Sequence, residues 1–268
     1  MHTSLAFFSL FCWTMRKLLR LLLIFAFLMP AIFASGQVNV RDSVIHTPVV
    51  YAAYGFHLLG GDISEMFGPS STLGAGVGFK TNKNIYFGIE YNYLWGGRVK
   101  QGNEILKDII TSEGQIIGQS GEYAIFQYFL RGHTIWGQVG KLFPVLSHNP
   151  NSGIMVKLGL GYVQHRMFVS VQDNTALQLK GDYKKGYDRL TSGFGLTESI
   201  GYFFLGDSRM WNFYAGFEFS QAWTKNRRDI NFDTRQKDNS QHLDLFYGIK
   251  IAWVIPLYRR APTGYYYN

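Results

Sequence analysis

The stretch MWNFYAGFEFSQAWTK, Met210–Lys225, sorts its residues by parity. Trp211, Phe213, Ala215, Phe217, Phe219 and Trp223 take odd numbers, while Asn212, Tyr214, Gly216, Glu218, Ser220 and Thr224 take even ones. Successive side chains of a β-strand point to opposite faces, so this segment has a greasy aromatic face and a small or polar one. Seven other stretches carry the same alternation, at about Val49–Gly60, Thr72–Lys80, Ile85–Trp95, Gln127–Phe143, Ile154–Val171, Arg189–Leu205 and His242–Leu257. Parity is weakest in Gln127–Phe143. Long connections (98–126, 172–188, 226–241) alternate with short ones (81–84, 145–152, 206–209), and the connection near 61–70 is modest. The expected fold is all-β, a closed antiparallel eight-stranded transmembrane β-barrel. Turns gather at one end and loops at the other, as in barrels of an outer membrane.

Periodicity alone does not say which face points outward. A soluble barrel would put the apolar face inside, around a ligand. Two features favour apolar-outside. The non-aromatic face is rich in glycine, which a narrow lumen needs. Trp211 and Trp223 also lie twelve residues apart on one face. At about 3.3 Å per residue and a tilt near 40°, that is roughly 30 Å of height, enough for two interfacial aromatic girdles. Trp95 at the loop end and Trp253 at the turn end fit the same scheme.

Composition agrees. Of 268 residues, 47% are hydrophobic and 17% aromatic, with 30 Gly and 7 Pro, yet mean hydropathy is close to zero. Alternation gives that combination, since each apolar residue sits beside a polar or small one. No stretch after residue 36 approaches the roughly 18 apolar residues of a membrane-spanning helix.

An export leader is expected at 1–36: Arg16-Lys17 is basic, Leu18–Leu28 is apolar apart from Arg20, Pro30 breaks the run, and Ala34-Ser35-Gly36 offers a cleavage site. Met15 is an alternative start. Residues 37–47 form an N-terminal periplasmic segment, 48–258 the barrel and 259–268 a periplasmic tail. The lone cysteine, Cys12, falls within the leader, which excludes disulfides, cysteine-ligated zinc and a cysteine nucleophile from the mature chain. The formal charge is +8, and loss of the leader removes three basic residues and no acid. No basic helix, zinc spacing or stacking motif accompanies this charge, so nucleic acid is not an expected partner. Lys184-Lys185, Lys225-Asn226-Arg227-Arg228 and Arg259-Arg260 read as solvated loops or as contacts with anionic lipid head groups.

Parity puts Glu90, Lys157, Glu218, Asp244 and Lys250 in the lumen, with His57, His165 and His242, and Lys80 near the turn-end rim. Enclosed charges are costly unless paired, so a salt-bridged plug is expected rather than a passage. His242 and Asp244, two apart on one face at the loop end, are the nearest approach to a catalytic pair; no second acidic pair accompanies them. His133-Thr134 is a poor match to a serine–histidine site, and Asp207-Ser208 reads as turn chemistry. No cofactor, metal or catalytic residue is expected. Glu198 is the anomaly. Phe194, Leu196, Ile200 and Tyr202 share its parity, so it faces lipid at mid-membrane unless a β-bulge shifts the register. A basic residue there costs about 2–4 kcal/mol, and a carboxylate less. Either the bulge exists or a partner barrel covers the acid. Ile105, Leu106, Ile109, Ile110, Ile116 and Ile117, around Ser112-Glu113-Gly114, are apolar matter in a loop, fit for a docking surface or for packing over the barrel mouth.

The last strand contains Gly248-Ile249-Lys250-Ile251-Ala252-Trp253, which resembles the β-signal read by the insertion machinery of outer-membrane proteins. It departs in that Val254–Asn268 follow. Over about 48–258 the chain resembles small barrels of the OmpA/OmpX type by architecture. In leader and tyrosine–glycine style it is also similar to the small barrels of Bacteroidota, among them the PorG-like accessory subunits of type IX secretion. That resemblance implies an outer-membrane location, lipid and other envelope proteins as partners, and a non-enzymatic scaffold or accessory role in secretion or assembly. An enzyme acting on lipid or peptide at the outer rim is the alternative, and a narrow channel the next.

Overall fold

The computed structural model describes residues 44–147, 149–172, 175–206 and 210–257. The expected leader, the turn residues Asp207-Ser208 and the 259–268 tail lie outside them. Eight strands form one closed ring: β1 (Thr47–Gly61), β2 (Ser70–Lys80), β3 (Ile85–Gly96), β6 (Phe126–Phe143), β7 (Gly153–Val171), β8 (Thr191–Leu205), β9 (Asn212–Asn226) and β10 (Gln241–Pro256). A minor hairpin, β4 (Ile116–Ile117) and β5 (Tyr123–Ala124), stands in the β3–β6 loop. Neighbours in the ring are antiparallel, and β1 closes on β10 from Val49↔Pro256 to Gly61↔Asp244. Closure leaves no edge strand in the ring, although the loop-end extensions of β6 and β7 run past their neighbours on one side.

The expected strands match the observed ones to within a few residues. β8 begins at Thr191 rather than Arg189, because Arg189 adopts φ 47° and a strand does not run through the left-handed region. The weak parity of β6 has a local cause. Trp136 points into the lumen, 3% exposed, while Gly137 stands on the outer face. Room for the indole comes from glycines of the next two strands: a Cβ on Gly161 would lie 2.4 Å from the Trp136 ring and one on Gly195 3.1 Å.

The orientation question has a plain answer. Phe217 is 69% exposed and Ile89 61%, whereas Glu90 and Lys250 are 0% and 2%. The aromatic face is the outer one. Trp95, Trp223 and Trp253 also stand on it, Trp253 donating to the Met210 carbonyl at 2.7 Å.

At the turn end, Thr81–Asn84 closes β2 on β3, with Asn84 at φ 59°. Residues 150 and 151 of the next turn reach under the barrel: Lys80 Nζ donates to Asn151 Oδ1 (2.8 Å) and to the Ile45 carbonyl (3.1 Å), and Asn84 donates to the Pro150 carbonyl (3.1 Å). At the other end the loops cover the mouth with an apolar cluster. Ile63, Phe67, Ile105, Leu106, Ile116 and Leu179 from the loops pack with Leu94, Leu130, Val163 and Met167 from the strands. Of the two expectations for the β3–β6 loop, packing over the mouth is the observed one for Ile105, Leu106 and Ile116; Ile117 remains exposed.

Candidate functional site

Eight strands leave an interior just wide enough for side chains, and here two polar tiers lie above the Lys80–Asn151 contact. In the middle tier Lys250 Nζ donates to Glu90 Oε1 at 2.6 Å and pairs with Glu218. Tyr51 Oη donates to Glu90 Oε2 (3.0 Å), Asn92 Nδ2 to Glu90 Oε1 (2.9 Å), and His57 Nε2 lies 3.4 Å from Glu218 Oε1. Lys157 joins differently: its Nζ stands 4.2 Å from the centre of the Tyr214 ring, a cation–π contact. Two carboxylates thus face two ammonium groups, and the tier is close to neutral.

The sheet makes room for these long side chains through register. Lys250 pairs across the ladder with Gly55 and Gly216, Glu90 with Gly76, Glu218 with Gly248, and Lys157 with Gly140. Each charged residue crosses the lumen over a neighbour without a side chain. Tyrosines use the same device. A Cβ on Gly76 would lie 2.2 Å from the Tyr51 ring, and one on Gly78 2.4 Å from Tyr86. The cavities left around this tier and beside His57 and Thr72 are about 20 Å³ each, space for a single water.

Asp244 is not part of that network, contrary to the expectation that grouped it with Glu90, Lys157, Glu218 and Lys250. It forms the upper tier with His165 (Nε2 to Oδ2, 2.8 Å) and accepts from Thr224 Oγ1 (2.7 Å). His242, which with Asp244 made the nearest approach to a catalytic pair in the sequence, does not meet Asp244 either. The His242 ring lies 3.0 Å from Asp238 and 3.7 Å from Asp62, at the mouth. These groups line a polar cleft of about 300 Å³ with Glu65, His165 and Asp244. Burial alone would raise the Asp238 carboxyl, but hydrogen bonds from the Ser240 side chain and backbone, then from His242, hold it below the usual carboxylate range. Among the described residues no cluster of three or more histidines and acids is placed to hold a metal.

The four loops join in a ring of their own, a feature without a local sequence signal. Gly68 N donates to the Arg98 carbonyl, Gln119 N to that of Thr175, Phe232 N to that of Gly186, and Leu243 N to Asp62 Oδ2. Arg228 grips Asp188 with two nitrogens, and Arg189 pairs with Asp233. The hydrogen bonds that Arg228 donates to Asp188 hold the guanidinium above its ordinary value. Arg227 donates to Ser192 Oγ at 2.8 Å. Arg227 and Arg228 therefore brace loops, where the sequence offered solvated residues or lipid contacts.

Glu198 stands on the outer face, exposed, between Leu158 of β7 and Phe219 of β9. The register of β8 is unbroken on both sides, so the β-bulge that would have turned the acid inward is absent.

No family model matches the chain, nor does any curated protein. Among solved structures, the chain is similar to Ail, the attachment invasion locus protein of Yersinia pestis, with 7% identity, 79% of this chain and 100% of that chain covered, and a TM-score of 0.41. It is also similar to OprG of Pseudomonas aeruginosa (9% identity, 81% and 99% covered, TM-score 0.37). The N-terminal β-barrel domain of OprF from the same organism matches at 8% identity, 78% and 98% covered, with TM-score 0.36. Likenesses this distant carry no functional argument; the barrel rests on the strand ring itself.

Proposed function

We propose that the chain is an outer-membrane barrel that works as a non-enzymatic scaffold or accessory subunit of an envelope complex. The observation that carries this reading is a lumen blocked by Lys80 and Asn151 at one end and by the Lys250 tier in the middle, with the apolar loop cluster at the other end and the polar cleft of the mouth stopping at the His165–Asp244 tier. A barrel blocked in this way offers its surfaces for use rather than a bore. Those surfaces include an apolar outer wall, which a bilayer satisfies, and exposed Ile117, Tyr123, Ile125 and Leu177 on the loops. The finer reading, a part in protein secretion of the type IX kind, draws on the resemblance in leader and composition.

The test is extraction in mild detergent followed by mass spectrometry of stoichiometric partners. Secretion is examined in a strain lacking the chain, where exported proteins should accumulate in the periplasm. A barrel recovered alone, in a strain with unaltered export, overturns the reading.

One observation favours an outer-rim hydrolase as the second reading. Ser240 Oγ lies 3.1 Å from His242 Nε2, with Asp62 on the far side of that ring. Against it, Ser240 is also held by Asp238, which contacts the same ring nitrogen. Ester or peptide hydrolysis lost in Ser240→Ala would support this reading; no hydrolysis by the purified barrel removes it.

A further inference from the structure

We infer that the wall around Glu198 is the docking face for a membrane-embedded segment of a second protein, and that this segment brings a lysine or arginine to the carboxylate. The inference rests on the subunit reading above and names its interface. Of the four carboxylates in the barrel strands, Glu90, Glu218 and Asp244 are buried in the lumen; Glu198 alone is on the outside. Leu158 and Phe219 flank it across the ladders, with Leu196 and Ile200 on its own strand. Among the described residues, no hydrogen bond or ion pair within the chain meets it. Hydrocarbon offers no counter-charge and no hydrogen bond, so the group calls for a donor from outside the chain.

Shape supports the same face. Two shallow apolar depressions in the wall both reach Glu198, one of about 890 Å³ spreading from Val77 of β2 past Ile89, Gly137 and Leu160, the other of about 420 Å³ past Phe217 and Tyr247. Gly137 deepens the first: a Cβ there would touch only the Leu160 carbonyl oxygen, at 3.7 Å.

Two other occupants fit worse. A lipid's cationic head group lies at the interface, about 15 Å from the midplane of a core about 30 Å thick. A second copy related by an axis along the membrane normal presents each residue at its own depth. The outward-facing cations of the strands, Arg131, Arg166, Lys225 and Lys141, all lie toward strand ends. None of them shares the mid-strand position of Glu198.

The experiment uses the full chain in its own outer membrane, with a photo-crosslinking residue at Leu158, Phe219 or, on the opposite wall, Leu73. Adducts should form at the first two positions and not at Leu73, and the captured segment should carry a lysine or arginine. Glu198→Lys should cut the yield at least tenfold, and replacing the partner's basic residue by Glu should restore it. Gly137→Phe, which fills the first depression and leaves Glu198 in place, should cut the yield at least threefold in barrels of unchanged heat-modifiable mobility. Adducts with lipid alone, adducts with another copy of this chain, equal yield at Leu73, or no rescue by the charge swap would each overturn the inference. If Glu198→Leu leaves co-purified partners undiminished, this interface is wrong and the subunit reading stands. If the wild-type chain brings no partner, both fall.

Discussion

Lys250 and Glu198 show how one coordinate, the face of the strand, sets the value of a charge. Lys250 is enclosed between two carboxylates, so its replacement leaves two buried acids with only Lys157 to balance them. Lys250→Met is expected to destabilise the barrel by about 3–5 kcal/mol, read as the denaturant midpoint of the refolded protein in lipid vesicles. The double variant Lys250→Met, Glu218→Gln, which leaves Glu90 to balance Lys157, should recover most of that loss. If the single variant unfolds at the wild-type midpoint, the middle tier is not a stabilising plug. Glu198 predicts the opposite sign. In the isolated barrel Glu198→Leu removes a polar group from hydrocarbon and should stabilise by about 1–2 kcal/mol in the same titration; destabilisation would show that Glu198 has a partner within the chain. Neither sign follows from residue type, since both are charged residues in the middle of strands.

The β3–β6, β7–β8 and β9–β10 loops behave as one element, because backbone bonds and the Arg228–Asp188 and Arg189–Asp233 pairs join them. Arg228→Ala should loosen the neighbouring loop and not the barrel: amide exchange in 175–190 and 227–240 rises, while that of β9 and β10 stays protected. Equal protection in wild type and variant would show that the pair braces nothing. The Asp238 clamp adds a pH dependence with a definite sign. Its carboxyl sits lower when folded than when unfolded, so its contribution is present above the ordinary carboxylate value of about 3.9 and is lost as pH falls through the folded value. Protection of the 227–240 loop, taken relative to the intrinsic exchange rate at each pH, should be flat from pH 7 to 5 and fall only below about 4. A loss of protection already at pH 6 would assign the transition to another group. At this scale the sequence showed a great deal. Strand limits came within a few residues because turns and parity are local. The loop ring was hidden, because Asp62 reaches Leu243 across 181 positions and no periodicity marks the pair.

For the molecule as a whole, the claim that matters is that hydrocarbon lies outside and the charges inside. Spin labels at Phe217 and Ile89 should report an apolar, oxygen-accessible setting in vesicles; water accessibility at both would remove the membrane reading with everything built on it. The blocked lumen predicts no unitary current in planar bilayers, and reproducible conductance steps from the folded barrel would restore the channel. Gly76→Val, which intrudes on the Tyr51 ring, serves as a stability control for lumen packing.

The sequence by itself determined the number of strands, their limits, the alternation of turns and loops, and two faces of opposite character. All of these are set by neighbours a few residues apart. It also marked Glu198 as out of place. Only the tertiary structure decided which face was outer, because a period of two reads the same from either side of the sheet. It also decided which charges meet. Glu90 and Lys250 are 160 positions apart, and only closure of the ring brings them together. The same closure separated Asp244 from the central tier, tied the loops into a cap, and left the acid on the wall by keeping β8 in register with both neighbours.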